Sequence, residues 1–233
     1  ERTIPSTAAD QGRGPAALRT LVLSNGPHGV SAEVVSGAGR TLDKQRTAVA
    51  ADGLPLWATE QEDPHEPGEL NAAHQSLGEL VAAIVSPGSE HIPGLMQQLG
   101  IGFVLIPAGE GPLADAADTA GGLVRVGQTD TGALWRADVP EDSALPAAPG
   151  IAGVATAWAR LVDAEGEFLA LLPSHQQRIE VDLASIRTPE GEPLEFDSDQ
   201  EYFLEVAAER AGGWHASLDG ESLRPATERS TGE

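Results

Sequence analysis

The sequence predicts a mixed α+β fold, with an N-terminal α/β domain followed by a C-terminal β-rich, sandwich-like domain. Three observations predict this. Helix-like and strand-like patterns alternate up to residue 139, a stretch rich in proline and alanine follows, and short apolar segments then recur between turns. We therefore divide the chain into a flexible lead-in, an α/β domain, a linker, a β-rich domain and a tail, at residues 1–18, 19–139, 140–150, 151–225 and 226–233.

The first domain opens with a predicted hairpin. "RTLVLS" (19–24) and "VSAEVVSG" (30–37) have strand composition, and "NGPHG" between them has turn composition. Residues 38–68 are of mixed composition and predict no element.

Three helices and three strands follow in the first domain. Residues 69–86 carry apolar side chains at helical spacing, at Leu70, Ala73, Leu77, Leu80, Val81 and Ile84. Residues 91–100 predict a shorter helix, with Pro93 in its first turn and Gly100 just past its end, and residues 111–120 predict another. The strand at 102–107 contains the unbroken apolar run "FVLI", which is typical of a strand covered on both faces. Strands at 122–128 and 132–139 form a second predicted hairpin.

The second domain reads as a series of short strands. We predict them at 153–163, 167–173, 178–184, 201–210 and 214–220, in an antiparallel sheet or sandwich. Residues 201–210 could instead be helical, because glutamate, alanine and leucine dominate them.

Charge excludes some classes of partner. The chain has 36 acidic and 14 basic residues, a formal net charge of -22, so it lacks the basic surface that nucleic acid or anionic lipid requires. The acidity indicates a solvated surface, with calcium or a basic partner as alternatives. There is no cysteine, and therefore no disulfide or thiolate chemistry.

The glycine-rich stretch around the central strand does not match a nucleotide site. A dinucleotide fingerprint places its glycines after the strand and before a helix, whereas Gly100 and Gly102 precede this strand. A phosphate-binding loop needs a lysine, and the only lysine is Lys44. We therefore predict no cofactor and interpret "PAGEG" (107–111) as an exit turn.

Catalytic and metal-binding patterns are weak. No histidine pairs with another at ligand spacing, no nucleophile elbow is present, and we assign no catalytic residue. Asp197 and Asp199 are weak candidates for a metal site, but the full calcium-loop motif is missing.

Tryptophans offer a possible carbohydrate site. An exposed indole on a β-rich domain can stack on a sugar ring, although buried tryptophans are commoner. The candidate residues for carbohydrate contact are Trp158, Trp214, His215 and Asp219.

Several stretches resemble a known family. "AADQGRGPAALRTLVL" (8–23), "LGELVAAIVS" (77–86), "LMQQLGIGFVLIP" (95–107) and "GLVRVGQTDTGALWRADVP" (122–140) are similar, in that order, to the C-terminal region of large actinobacterial membrane-bound glycosyltransferase family 2 proteins. Residues 203–225 resemble a "GW-x-A-x-x-DG" element that recurs outside the membrane in polytopic glycosyltransferases; it is matched here by Gly213, Trp214, Ala216, Asp219 and Gly220.

The resemblance implies a function for the chain. It implies a non-catalytic extracytoplasmic domain of a membrane glycosyltransferase for cell-envelope glycan synthesis, at the outer face of the membrane, with envelope glycans or membrane proteins as partners. "DSD" (197–199) matches the catalytic DxD motif of such enzymes in letters only. Two alternatives stay open: a carbohydrate-binding module of the envelope, and an independent hydrolase or transferase whose site assembles in three dimensions.

Overall fold

The structure is a computed structural model, and it describes residues 5–26, 29–36, 43–49, 55–57, 72–86, 91–107, 109–138, 157–175, 178–207, 215–219 and 221–223. Within these residues the helices are α1 Ser6–Arg13, α2 Ala72–Val85, α3 Ile92–Gln98 and α4 Pro112–Thr119. The strands are β1 Arg19–Gly26, β2 Gly29–Ser36, β3 Asp43–Val49, β4 Pro55–Trp57, β5 Ile101–Ile106, β6 Leu123–Thr129, β7 Gly132–Ala137, β8 Ala159–Asp163, β9 Phe168–Leu171, β10 Ser174–His175, β11 Arg178–Ile179, β12 Tyr202–Val206, β13 Ser217–Leu218 and β14 Glu221–Ser222. The fold is mixed α+β with several sheets, as predicted.

The largest sheet in the described part of the chain has seven strands, in the order β4-β3-β2-β1-β5-β7-β6. All neighbours are antiparallel except β1 and β5, which are parallel because the chain returns to the sheet through α2 and α3. The predicted hairpins β1–β2 and β6–β7 are confirmed. Strands β3 and β4 lie in the region for which the sequence predicted no element.

Strand β5 is buried on both faces, as its unbroken apolar run predicted. All six of its residues are buried, and successive side chains enter different hydrophobic clusters. Val104 and Ile106 belong to a cluster that we call core A, whereas Phe103 and Leu105 belong to core B on the other face. The period-2 alternation of a strand explains this division.

Core A lies between the sheet and helices α2, α3 and α4. Four of the α2 side chains that the helical spacing predicted are buried in it: Leu77, Leu80, Val81 and Ile84. The side chain of Ala73, from the same prediction, is not among those that the structure describes. Helix α3 adds Ile92 and Met96, and α4 adds Leu113 and Ala117. Leu70, also predicted on the α2 face, lies outside the described residues.

Core B corrects the prediction of a flexible lead-in over residues 1–18. Residues 6–13 form α1, and its Ala8 and Ala9 pack with Ala16 and Leu18 against the second face of the sheet. That face presents Val22, Val35, Phe103, Leu105 and Leu134. The sequence hid this helix because small alanines, rather than large apolar residues at helical spacing, make its contacts.

The C-terminal half contains a three-stranded antiparallel sheet in the order β12-β8-β9. The third hydrophobic cluster of the protein, which we call core C, consists of Trp158, Ala159, Leu161, Ala170, Leu172 and Ile186. Residues 202–206 form a strand, so the helical alternative for 201–210 is wrong there. The predicted strand 178–184 is also wrong over most of its length: only Arg178–Ile179 is extended in a ladder, and Leu183–Ser185 forms a 3₁₀ turn capped by Asp182. The predicted linker 140–150 and tail 226–233 lie outside the described residues.

A junction formed by residues 15–18, Gly100, Gly102, 157–158, Ser174 and Ala207 joins the two halves. The amide of Trp158 donates to the Ala16 carbonyl (2.9 Å), and the amide of Ser174 donates to the Pro15 carbonyl (3.1 Å). The Trp158 carbonyl in turn accepts from the amide of Ala207 (2.7 Å). Backbone carbonyls of the N-terminal segment thus accept hydrogen bonds from two backbone amides of the C-terminal half.

Glycines allow the close approach at this junction. Gly100 has φ +62°, and a Cβ there would lie 3.0 Å from the Ala207 Cβ and 3.3 Å from the Ala157 carbonyl oxygen. A Cβ on Gly102 would lie 2.6 Å from Leu18 Cδ1. Gly100 immediately precedes β5 and Gly102 lies within it, and both glycines allow close packing.

Substitution of Gly100 by alanine should destabilise the protein by roughly 2–3 kcal/mol, because a left-handed residue gains a Cβ and that Cβ is crowded. Gly191 (φ +90°) has no atom within 4 Å of its Cβ position, so Gly191→Ala carries the backbone strain alone and should cost about 1–2 kcal/mol. Gly94→Ala should stabilise the protein by about 0.5–1 kcal/mol, because Gly94 is an exposed helical residue of α3 with open space at its Cβ position. Urea denaturation of the three variants measures these free energies of unfolding. If Gly100→Ala and Gly191→Ala lowered the free energy of unfolding equally, crowding at Gly100 would contribute nothing beyond the backbone strain.

Candidate functional site

The turn after β5 is the place where an α/β sheet could hold a ligand. Gly109 has φ +68°, and its amide donates to the carbonyl of Ile106 (2.9 Å). A Cβ on Gly109 would lie only 2.1 Å from Gln128 Nε2, so the side chain of Gln128 lies directly against this turn. The left-handed backbone favours glycine here, whereas the flexible end of Gln128 can move away from a Cβ.

Arg125 ties this turn to the sheet. Its Nη2 donates to the Gly109 carbonyl (3.1 Å) and to Gln128 Oε1 (2.8 Å), and its Nη1 donates to Asp118 Oδ2 (3.0 Å). Its guanidinium carbon lies 5.1 Å from the ring centroid of Trp135, which is a cation–π distance. The second carboxylate oxygen of Asp118 accepts from Trp135 Nε1 (2.8 Å).

This arrangement has a structural role in the described residues. Trp135 is fully buried in core A, and its indole N–H needs an acceptor there. Asp118 supplies that acceptor from the last turn of α4, and Arg125 balances the carboxylate. The amide and the carbonyl of Gly109 are therefore both hydrogen-bonded within the protein, at the turn that follows β5.

Trp158 is not placed as a sugar platform. Only 5% of it is exposed, and its side chain belongs to core C, so the structure does not strengthen the prediction of carbohydrate stacking on Trp158. An apolar pattern cannot distinguish a buried tryptophan from an exposed one, because both occur within strand-like segments. Trp214 lies outside the described residues.

His215 and Asp219 are both exposed, at the small hairpin β13–β14. Ser217 pairs with Ser222 and Leu218 with Glu221, so the chain reverses direction after Leu218. Asp219 has φ +51°, a left-handed conformation that is common in hairpin turns. Turn geometry therefore accounts for the aspartate at this position.

Asp197 and Asp199 lie on an exposed turn before β12. The amide of Asp199 donates to Asp197 Oδ1 (2.9 Å), so this carboxylate already caps its own turn. Across the described part of the chain, no three His, Asp or Glu side chains are grouped so that they could hold a metal ion. The metal candidates remain a prediction that this geometry does not strengthen.

An exposed apolar surface stands next to these aspartates. Phe196 (37% exposed) contacts the half-buried ring of Tyr202, and Leu204 (38% exposed) follows on the same side of β12. We call these three residues the Phe196 patch. The sequence analysis did not single them out; the signal was a phenylalanine inside the acidic run "GEPLEFDSDQE" (191–201).

Comparison of the chain with protein-family models finds no match, and neither curated proteins nor solved structures provide a similar chain. None of the described helices is long and apolar enough to cross a membrane.

Replacement of Asp118 by alanine should cost roughly 1–3 kcal/mol, because it leaves the Trp135 N–H buried without an acceptor. In a double-mutant cycle with Trp135→Phe, the two losses should fall short of additivity by about 1 kcal/mol or more. Asp115→Ala, on the exposed side of the same helix, is the control and should cost less than about 0.5 kcal/mol. Chemical denaturation measures all of these, and strict additivity would rule out the indole–carboxylate bond.

Proposed function

We propose that this chain is a non-catalytic extracytoplasmic domain of a membrane glycosyltransferase, with an accessory or interaction role in cell-envelope glycan synthesis. The observation that carries the proposal is where the four resembling stretches fall. They coincide with α1–β1, the second half of α2, α3–β5 and β6–β7, which build cores A and B. The resembling stretches are thus helices and strands that form the hydrophobic core of one domain.

The proposal includes a division of labour between the two halves. The N-terminal α/β unit acts as a rigid base, and a sandwich-like C-terminal unit presents surfaces to partners. Two features support this division. Backbone hydrogen bonds at the junction hold the halves together. Among the side chains that the structure describes, the large exposed apolar ones are Val126 in the N-terminal half and Phe196, Leu204, Leu218 and Leu223 in the C-terminal half.

A non-catalytic role predicts that nucleotide sugars leave the protein's stability unchanged. UDP-sugars and GDP-sugars, each at millimolar concentration with manganese, should shift Tm by less than about 1 °C in a thermal-shift assay. A site filled at ten times its Kd would instead raise Tm by about 3–5 °C in a chain of this size. Such a stabilisation would reject the proposal and favour a transferase.

A carbohydrate-binding module is the second candidate, and the exposure of His215 and Asp219 favours it. His215 precedes β13 and Asp219 lies between β13 and β14, and both belong to the stretch that resembles the glycosyltransferase element. An aromatic platform at Trp214 beside polar side chains would provide the stacking and hydrogen bonds that sugars need.

An array of arabinan, galactan and mannan fragments tests this candidate. If the candidate is correct, Trp214→Ala should abolish binding, whereas Leu223→Ala, an exposed position beyond the same hairpin, should leave it within about twofold. Absence of binding to every glycan would leave partner proteins as the ligands of the domain.

A further inference from the structure

The Phe196 patch has the geometry of a preformed contact surface. The rings of Phe196 and Tyr202 meet edge to face, with centroids 5.1 Å apart and an interplanar angle of 71°. Leu204 continues the apolar surface along β12, at the margin of core C. More than a third of Phe196 and of Leu204 is exposed.

Hydrogen bonds fix the aromatic rings in place. The Tyr202 hydroxyl accepts from the amide of Asp197 (2.8 Å) and donates to Gln200 Oε1 (3.2 Å). The segment before β12 is thereby tied to the strand at its tip. A partner would meet a surface whose rings are already ordered, so little side-chain entropy would be lost on binding.

Acidic side chains flank the patch in sequence, and among the described residues none of them is paired with a base. Residues 190–201 contain six acidic residues in twelve positions and no basic one, about three times the average density of the chain. All six are exposed, and none forms an ion pair with a base among the described residues: Glu190, Glu192, Glu195, Asp197, Asp199 and Glu201. The nearest base in sequence, Arg187, donates instead to the carbonyls of Ala184 and Ile186.

We infer that the Phe196 patch binds a basic polypeptide segment, which places an apolar side chain against Phe196 and Leu204 and its lysine or arginine side chains against the surrounding carboxylates. An apolar centre with a charged rim is the usual composition of a protein interface. The sign of the rim selects a cationic partner and repels a second copy of this acidic chain. This inference does not depend on the membrane parentage proposed above.

Fluorescence anisotropy on the full chain tests the inference with a defined probe. The probe is a labelled nine-residue peptide with leucine at its centre and lysine at the other eight positions. A second peptide carries serine at the centre, and a third carries glutamate in place of every lysine. We expect the leucine peptide to bind, the serine peptide to bind about fivefold more weakly, and the glutamate peptide not to bind. Binding should weaken steeply as salt rises.

Two four-site variants separate local from overall charge. The patch variant is Glu195→Gln, Asp197→Asn, Asp199→Asn and Glu201→Gln. The control variant removes the same charge from exposed positions of the N-terminal half: Glu79→Gln, Glu110→Gln, Asp130→Asn and Asp138→Asn. The patch variant should lose about tenfold or more in affinity at low salt, and the control less than threefold.

A second pair of variants tests the apolar contact. Phe196→Ser should weaken binding of the leucine peptide about fivefold. Binding of the serine peptide should stay unchanged, because that peptide has no leucine to contact Phe196. Val126→Ser, an equally exposed apolar site on β6, should change neither. Circular dichroism verifies that every variant is folded.

Three results would overturn the inference. Equal losses of affinity in the two four-site variants would mean that the peptide responds only to the net charge of the chain. Equal affinities of the leucine and serine peptides would mean that the apolar contact contributes nothing to binding. Self-association of the native chain that Phe196→Ser abolishes, measured by sedimentation, would make the patch a contact between copies of the chain. None of these results bears on the nucleotide-sugar test, so the two proposals fail separately.

Discussion

The close approach of two backbones at Gly100 is the constraint on which the rest of the structure depends. Around β1, β5 and β7 both faces of the sheet carry apolar side chains, so each face needs a cover. Helices α2, α3 and α4 cover one, and α1 with the start of the C-terminal half covers the other. The second cover fits only where side chains are small: Ala157 and Ala207 meet the turn at Gly100, and Leu18 lies against Gly102. Larger groups there would separate core B from core C.

The parts of the fold that sequence predicts well are those whose contacts repeat along the chain. The spacing of Leu77, Leu80, Val81 and Ile84 identifies α2 because one helical face meets one core. Helix α1 has no such pattern, since alanines that also suit a loop make its contacts. Strands β3 and β4 escaped prediction for a related reason: their neighbours in the sheet, rather than a strong period of their own, define them.

The candidate site was harder to predict because burial and exposure depend on tertiary contacts. Trp158 is an aromatic residue at the edge of a strand-like segment, and only the packing of core C decides that its ring points inward. Phe196, in an acidic turn, is partly exposed instead, and its ring contacts Tyr202 at the surface. The prediction of a strand over 214–220 is wrong at Asp219, which has the left-handed conformation of a turn, because an Asp-Gly dipeptide favours that conformation.

The parallel pairing of β1 with β5 also governs how the chain reaches its fold. Arg19 and Leu99 are in contact across 80 residues, so the centre of the sheet closes only after a long loop has formed, while the β1–β2 hairpin can form locally. The acceptors at Pro15 and Ala16 meet Ser174 and Trp158, which leave the ribosome much later. During synthesis, therefore, the apolar second face of the sheet emerges well before its full cover. That interval is when a chaperone would be most useful to this chain.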